Sequence, residues 1–471
     1  MEKPSRLKHT LGFGMVVVIV VANIIGSGVY KKVGPMAAEL HSPGWILFCW
    51  VLGGVITLFG ALSNSEVAGL LAATGGEYAY FKIIYNKFFA FIYGWSLFTT
   101  IQTAAISSLA YVFAESFAGI IHLPAVLPAL KDVNLAGVFY PFADFNIKLC
   151  AIALILLFTF INGRGLKTGA IISRFILILI ITAILVIVVF GLSSSHAHIA
   201  SAFSLHTDNA APVRIGSIFT AMLAAFWAYQ GWAAVGFVGG EVRDAKRAIP
   251  LGIATGVFTV IVVYLLVNTT YLSLLSTPQL TQIAGSQNTI AATEAVKVFW
   301  GKNGGLFLSA LIAITTMSCM HATILASCRT YYAMALEGLF FRHAAKLNKA
   351  DVPSGSLIFQ AGWACLLILS GTFDQLTDMI IFAVFIYYGA TTLGVFILRK
   401  KMPDAPRPYK VWGYPVVPAI FILFCLGLFF NTLQSRPREA IMGLVLIGSG
   451  VPFYFWFTRR SKRGISKPTE L

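Results

Sequence analysis

Charged residues are scarce in this sequence. Asp, Glu, Lys and Arg make up only 11% of the 471 residues, and just 18 residues are acidic. A soluble globule of this size needs more polar side chains to cover its surface. The strict alternation of apolar and polar positions that marks the strands of a membrane barrel is also absent. With 58% hydrophobic residues, the composition predicts an all-helical membrane protein.

Reactive clusters are missing as well. The six cysteines are scattered through apolar segments, without the spacing of a disulfide framework or a metal site. The apolar segments contain no group of nucleophiles, metal ligands or paired acids, so we expect neither an enzyme nor a bound metal or cofactor. The first apolar run has no small-residue cleavage site and many further runs follow it, so we do not expect a removable signal peptide.

Twelve apolar runs are long enough for spanning helices, which need about 20 residues each. They lie near residues 11–31, 44–71, 88–120, 146–162, 168–192, 213–239, 250–275, 305–336, 355–373, 375–399, 414–432 and 440–458. Because their number is even, both chain ends are expected on one side of the membrane.

Positive charge predicts which side that is, since Lys and Arg accumulate in cytoplasmic loops. With both ends in the cytoplasm, 24 of the 34 Lys and Arg residues are inside and 9 are outside, while Arg174 lies within a helix. We therefore expect a multi-pass protein of the cell membrane with cytoplasmic termini. Its net charge of +16 is explained by these loops and by lipid headgroups, and requires no nucleic acid.

Flexible residues interrupt two of the runs. The first contains Gly26, Ser27 and Gly28, and the sixth contains Gln230 and Gly231 within AAFWAYQGWAAVGFVGGEV. A helix broken inside a membrane leaves N–H and C=O groups that must find a ligand or a polar cavity. Alternatively, the small residues only let another helix approach closely.

Interruptions in runs one and six are expected if the chain contains two copies of a five-helix unit. This predicts a cytoplasmic N-terminus (1–10), two repeats (11–192 and 213–399), a cytoplasmic loop (400–413), two further helices (414–458) and a basic cytoplasmic tail (459–471). The N-terminal ends of broken helices attract a carboxylate and their C-terminal ends attract an ammonium group. The pattern therefore suits a zwitterionic amino acid.

Six motifs follow one another along the chain: IIGSGVY, GGEYAYF, FAFIYGW, FWAYQGWAAVGFVGGEVRDAKRAIP, SCRTYYAMALEGLF and LRKKMPDAPRPYKVWGYPVVP. In this order they resemble the motifs of permeases of the amino acid, polyamine and organocation family, closest to its neutral amino acid exchangers of the L-type-like branch. The resemblance implies the leucine-transporter-like fold, with twelve transmembrane helices, two inverted five-helix repeats, broken helices 1 and 6, and two C-terminal helices. It also implies secondary active transport of amino acids by alternating access.

The resemblance also implies which residues bind the substrate. They are Ile24, Ile25, Gly26, Ser27, Gly28, Gln102, Trp227, Ala228 and Gln230. Ser27 and Gly28 would meet the substrate carboxylate, and the carbonyls of Ile24, Trp227 and Gln230 would meet its ammonium group. Trp227 would also close over the substrate from outside, unless it is a core aromatic. Gln102 would read the substrate side chain.

Hydroxyl groups near Gln102 leave two interpretations open. Ser96, Thr99, Thr100 and Thr103 fall on one face of the third helix at steps of three and four residues. They line the pocket or bond back to their own helix backbone.

The lack of charge in mid-membrane favours neutral substrates. Glu66, Glu115 and Glu241 lie near helix ends, and no carboxylate, Lys or Arg is expected in the pocket. A cationic amino acid or polyamine permease of the same fold is the alternative, because carbonyls and amides also bind cationic groups. An amino acid sensor derived from a transporter is a further alternative of a different class.

The driving force stays open between exchange and uptake coupled to protons or sodium. Where many relatives have a lysine in helix five, this sequence has Ile180. Thr315, Thr316 and Ser318 offer oxygen ligands for sodium. His321 could carry a proton, or could be a neutral histidine bonded to a neighbouring helix. The sequence names no partner subunit.

A cytoplasmic gate is a further hypothesis. Glu241 lies close in sequence to Arg243, Lys246 and Arg247 and could form ion pairs with them. The alternative is that these are solvated loop charges.

Overall fold

The structure of the protein is a computed structural model, which describes residues 12–71, 76–133, 139–164, 170–207, 212–234, 242–286 and 289–464. Its helices in chain order are α1 Phe13–Ile24, α2 Gly28–Lys31, α3 Val33–Leu40, α4 Pro43–Leu71, α5 Gly76–Ile84, α6 Lys87–Ser96, α7 Gln102–Ala118, α8 Phe145–Gly163, α9 Ala170–Leu192, α10 Ile199–Ala202, α11 Ile215–Tyr229, α12 Ala245–Leu274, α13 Thr277–Gly285, α14 Ala291–Leu336, α15 Ser354–Ser370, α16 Phe373–Lys401, α17 Val416–Ser435, α18 Pro437–Gly448 and α19 Gly450–Gly464. Short 3-10 turns lie at Pro128–Leu130, Trp232–Ala234 and Arg342–Ala345, and a π-helical turn lies at Leu97–Ile101.

Many of these helices have the length and composition of membrane spans. Within the described ranges, 8 helical stretches qualify: Pro43–Leu71, Lys87–Ala118, Phe145–Gly163, Arg247–Leu274, Ala291–Leu336, Phe373–Lys401, Val416–Ser435 and Pro437–Arg460. Shorter apolar helices lie at Phe13–Ile24, Ile178–Leu192, Ile215–Tyr229 and Ser354–Ser370. Each apolar run predicted from the sequence overlaps one of these segments. The protein is thus an all-helical, multi-pass membrane protein.

The helices form two compact units, each assembled from three separate stretches of the chain. Unit 1 contains the described residues of 1–86, 186–284 and 384–435, and unit 2 contains those of 87–185, 285–383 and 436–471. Neighbours in space are therefore often far apart in sequence.

In unit 1, α4 packs against α11 and α12, and α1 lies along α12. Small residues allow the second contact, because a side-chain carbon at Gly256 would lie only 2.7 Å from the Cβ of Val20. Trp50, Tyr229 and Tyr264 form an aromatic cluster between α4, α11 and α12, with Trp50 and Tyr264 5.1 Å apart at their ring centres. This cluster supports the end of α11.

In unit 2, α7 packs against α8, α14 and α15. Aromatic rings fill the space beside the π-helical turn: the ring of Phe98 meets that of Tyr331 edge to face at 5.3 Å, and Tyr331 stacks on Phe340 at 5.9 Å. Large buried rings therefore fix the part of the chain that leads into α7.

Candidate functional site

The first apolar segment of the described chain is broken. Helix α1 ends at Ile24, Ile25 has extended backbone (φ −71°, ψ 105°), and helix resumes only at Gly28. Among the hydrogen bonds of the described residues, none is donated by the N–H groups of Gly26, Ser27 or Gly28. The predicted interruption is confirmed, and it presents three consecutive N–H donors.

The sixth segment is interrupted too. Helix α11 ends at Tyr229, and Gln230 has extended backbone (φ −64°, ψ 142°). Gly231 follows with φ +122°, a conformation that residues with a side chain rarely adopt. This confirms the interruption predicted at Gln230 and Gly231.

The two breaks touch each other. A Cβ atom at Gly28 would lie 2.5 Å from the Cα of Ala228, and one at Gly231 would collide with the backbone carbonyl of Asn23. Each break therefore needs a glycine where it meets the other. The structure brings together the predicted residues Ile24, Ile25, Gly26, Ser27, Gly28, Trp227, Ala228 and Gln230 within unit 1.

A tyrosine that the sequence analysis missed joins the two breaks. The hydroxyl of Tyr264 in α12 lies 2.8 Å from the carbonyl oxygen of Ala228 and 3.1 Å from that of Ile24. Its one hydrogen can be donated to either carbonyl. Tyr264 is fully buried. The signal in the sequence was a tyrosine in the middle of an apolar run, away from the membrane interfaces where this residue is common.

Gln230 also has a partner that the sequence did not reveal. Its Nε2 donates to the hydroxyl of Tyr388 in α16 at 3.0 Å. The Tyr388 ring lies 4.5 Å from that of Trp232, which follows the second break. Trp227 is buried near the end of α11. The second break is therefore held by aromatic side chains.

Gln102 belongs to unit 2 and begins α7 directly after the π-helical turn Leu97–Ile101. Such turns widen a helix and are frequent at functional sites. Three carbonyls of the widened turn accept side-chain hydrogen bonds: Leu97 from Tyr331 (3.1 Å), Phe98 from Thr103 (2.5 Å) and Thr99 from Trp363 (2.8 Å). The turn that places Gln102 is thus fixed by its surroundings, and no sequence signal predicted it.

Three of the four hydroxyls near Gln102 follow the second of the two interpretations. Those of Ser96, Thr99 and Thr103 donate to carbonyls of their own helical segment, at 2.7, 3.1 and 2.5 Å. Thr100 lies 3.3 Å from the hydroxyl of Thr99.

The candidate coupling residues also lie in unit 2. Thr315 and Thr316 both donate to the carbonyl of Ile312, at 2.9 and 2.8 Å. Ser318 is half-buried. His321 is buried, and its ring lies 5.5 Å from that of Phe158. Ile180 is buried as well.

Of the predicted gate, Glu241 lies outside the described residues. The structure reveals an ionic network at another carboxylate, that of Glu66, which is 2% exposed. Arg399 donates to both of its oxygens, at 2.9 and 2.7 Å, and the N–H of Val411 donates at 2.7 Å. Arg407 adds an ion pair at 3.5 Å. Glu66 therefore ties the loop after α16 to α4.

Known proteins are similar to this chain over most of its length. A family model described as amino acid permease matches residues 11–451. The serine/threonine exchanger SteT of Bacillus subtilis (strain 168) is 28% identical over 460 residues, which are 97% of this chain and 98% of that protein. The b(0,+)-type amino acid transporter 1 of Homo sapiens is 25% identical over 475 residues, 99% of this chain and 92% of that protein. The cystine/glutamate transporter of Homo sapiens is 26% identical over 461 residues, which are 97% of this chain and 86% of that protein.

Proposed function

Since the chain belongs to the amino acid permease family and is an amino acid transporter, we propose that it exchanges neutral L-amino acids across the cell membrane by alternating access. The contact between the two helix breaks carries this proposal. It joins helix-end carbonyls with N–H groups that donate no hydrogen bond within the described part of the chain, as a zwitterionic substrate requires.

The N–H groups of Gly26, Ser27 and Gly28 bind the substrate carboxylate. They lie at the start of α2, where a helix has no internal acceptors for its N–H groups and carries partial positive charge. The Ser27 hydroxyl adds a further donor. A carboxylate bound by main-chain donors needs no Lys or Arg, which suits this nearly uncharged stretch.

The ammonium group binds carbonyls at the C-terminal ends of α1 and α11. Those of Ile24, Trp227 and Gln230 are the acceptors, and the nearby hydrogen bond of Tyr264 to Ile24 or Ala228 fixes the two helix ends. A carbonyl oxygen has two lone pairs, so the one on Ile24 can bind the tyrosine and an ammonium group together. Trp227 closes over the substrate, and Gln102 reads its side chain.

Neutral substrates fit best because none of the residues of 24–28 and 227–230 carries a charged side chain. One relative is named a serine/threonine exchanger and another a large neutral amino acids transporter subunit. One alternative is a permease for a cationic amino acid or a polyamine, and another is a sensor that binds amino acids without transport. Counterflow into proteoliposomes separates these alternatives.

The architecture that goes with this function has twelve spans in two inverted five-helix repeats, 11–192 and 213–399, with both termini in the cytoplasm. Long and short apolar helices over all twelve runs support it, as do breaks in the first and sixth. Residues 400–413 and 459–471 are then cytoplasmic, and 414–458 form the two additional helices.

Exchange is favoured over ion-driven uptake. A fixed positive charge at Ile180 is missing, and one relative is named an exchanger. Transport would instead depend on sodium if sodium were bound by Thr315, Thr316 and Ser318. It would depend on a pH gradient if a proton were carried by His321. Glu241 is the proposed gate residue of the cytoplasmic side.

Counterflow into proteoliposomes tests the function. Uptake of labelled amino acid is measured with each of the twenty amino acids loaded inside, with and without sodium and a pH gradient. We expect neutral amino acids inside to accelerate uptake regardless of ions. Acceleration by cationic amino acids alone would support the first alternative, and binding without flux would support a sensor.

Two substitutions test the assigned roles. Ser27→Ala should raise the half-saturating concentration of every substrate about tenfold, since a hydrogen bond to a charged group contributes roughly 1.5 to 3 kcal/mol. Gln102→Ala should instead change the ranking of substrates. Ser65→Ala is the control, because among the described residues this buried hydroxyl bonds only the carbonyl of Ala61. The reverse pattern would reject this division of roles.

A further inference from the structure

The last helix of the described chain, α19, has one continuous exposed face in unit 2. Its exposed positions alternate between steps of one and three residues, which places them on one side of the helix. They are Val451, Pro452, Phe455, Trp456, Arg459 and Arg460. These residues belong to neither helix break, so the proposed function leaves this face without a role.

The face changes from apolar to charged along the helix. Val451, Phe455 and Trp456 are 39%, 52% and 45% exposed. Arg459 and Arg460 follow one turn later, and α19 contains no Asp or Glu. The guanidinium carbon of Arg460 lies 5.4 Å from the centre of the Trp456 ring, so the charge begins where the apolar part ends. A molecule that covers this face therefore needs an apolar portion and a negative end.

A second basic residue position adjoins the charged end of α19. The ring of Phe341 lies 6.3 Å from that of Trp456 and 5.4 Å from that of Phe457. These contacts place the loop after α14 beside α19 within unit 2. Arg342 directly follows Phe341 and is exposed. The positive charge at this end of the face therefore comes from two separate parts of the chain.

The two arginines of α19 have hydrogen-bond donors to spare. Lys401, at the basic end of α16, donates to the carbonyl of Ile84 at 2.9 Å. By contrast, neither Arg459 nor Arg460 donates a side-chain hydrogen bond within the described part of the chain. Guanidinium groups bind the oxygens of a phosphate through pairs of parallel N–H donors. The negative end of the covering molecule is therefore best supplied by a phosphate group.

An anionic phospholipid has both of the required parts. The apolar stretch Pro437–Arg460 has the length and composition of a membrane span, and most of it is not buried within the protein. Its exposed rings therefore face acyl chains, and Trp and Arg are typical of the depth at which headgroups lie. Free inorganic phosphate has no apolar part to cover the rings. A zwitterionic lipid would bring a positive group to the arginines.

We propose that the exposed face of α19 binds an anionic phospholipid. The acyl chains lie along Phe455 and Trp456, Arg459 and Arg460 bind the phosphate, and Arg342 adds positive charge from the neighbouring loop. In the proposed orientation this end faces the cytoplasm, where the membrane leaflet is negatively charged. The site goes beyond the proposed function, because it lies outside the two helix breaks and takes a different class of molecule.

Native mass spectrometry of the purified full-length protein tests the site. The protein in detergent is titrated with dioleoyl phosphatidylglycerol or dioleoyl phosphatidylcholine, and the readout is the apparent Kd of the first bound lipid. We expect phosphatidylglycerol to bind roughly tenfold more tightly, because only a lipid with net negative charge is attracted by the basic residues. Arg459→Gln combined with Arg460→Gln should remove this preference, since both phosphate contacts are lost.

A matched control removes the same charge at the same end of unit 2. Lys346→Gln combined with Lys349→Gln changes two exposed residues of the loop after α14, away from the exposed face of α19, and should keep the preference. Trp456→Ser should weaken phosphatidylglycerol binding without a change of charge. All of these variants should still exchange amino acids in counterflow, which shows that they are folded.

Four results would overturn the lipid site while leaving the proposed function intact. The first is equal affinity for the two lipids. The second is equal loss of the preference in the arginine and lysine double variants, which would reduce the effect to overall charge. The third is displacement of the lipid by an equal concentration of inorganic phosphate, which would assign the arginines to a free anion. The fourth is a protein dimer that excludes lipid and is lost in Trp456→Ser, which would assign the face to a second copy of the chain.

Discussion

Replacing Tyr264 by phenylalanine removes a single oxygen atom from the junction of the two helix breaks. The ring remains, so its packing at 5.1 Å from Trp50 is kept. What is lost is the hydrogen bond to the carbonyl of Ile24 or Ala228, at 3.1 and 2.8 Å. Tyr264→Phe therefore tests whether this hydroxyl fixes the two helix ends.

The size of the effect follows from the bond count. One hydroxyl hydrogen serves two buried carbonyls, so its removal costs one bond and leaves a buried acceptor unpaired, about 1 to 3 kcal/mol. At 1.4 kcal/mol for each factor of ten, this is roughly fivefold to a hundredfold in an equilibrium constant. Because neighbouring carbonyls that are less well fixed bind an ammonium group more weakly, we expect the half-saturating concentration for exchange to rise about tenfold.

Exchange kinetics in proteoliposomes and thermal unfolding of the purified protein measure this effect. Tyr271→Phe is the matched control: Tyr271 lies in the same helix and is fully buried, but its hydroxyl has no hydrogen-bond partner among the described residues. It should leave the half-saturating concentration within about twofold, since no hydrogen bond is lost. Equal effects of the two substitutions, or an unchanged Tyr264→Phe protein, would refute the reasoning.

Three further predictions concern unit 1. Gly28→Ala should abolish exchange, because the added Cβ would lie 2.5 Å from the Cα of Ala228 in the second break. Gly26→Ala should still exchange, because the atom nearest to its Cβ would be 3.9 Å away. Equal loss of exchange in both variants would contradict this prediction. Glu66→Gln should lower the melting temperature, since weakening a buried bidentate pair with Arg399 costs roughly 3 kcal/mol; an unchanged melting temperature would argue against the network. Burial raises the pKa of Tyr409 from 10.0 to about 12. The contribution of the neutral Tyr409 side chain to the free energy of unfolding should therefore be fully present below pH 10 and be lost as the pH rises through 12. Melting temperatures of the unaltered protein should fall more steeply over this range than those of Tyr409→Phe, and parallel curves would refute the assignment.

The two breaks could be predicted because their signal is local. Gly26, Ser27 and Gly28 lie side by side, and a flexible, polar stretch in an apolar run has few explanations in a membrane. The same reasoning placed Gln230 and Gly231. The helices on either side of the breaks could be predicted equally well, because a spanning helix forms its backbone hydrogen bonds within one segment.

The partners of the breaks could not be predicted in this way. Tyr264 meets a carbonyl 240 positions away at Ile24, and Gln230 meets Tyr388 across 158 positions. Glu66 and Arg399 are 333 positions apart. A hydroxyl or carboxylate has the same composition and hydropathy whether or not it finds such a partner, so only the folded structure distinguishes the cases.

By itself, the sequence determined that the chain is a helical membrane protein with interruptions in its first and sixth apolar runs. Hydrophobicity and helix breaking act over a few consecutive residues, so a linear reading captures them. Only the tertiary structure decided that the two breaks touch, that Tyr264 links them, that a π-helical turn precedes Gln102, and that Phe341 lies beside Trp456. These features depend on distances between residues far apart in the chain, and those distances are set only when the helices pack.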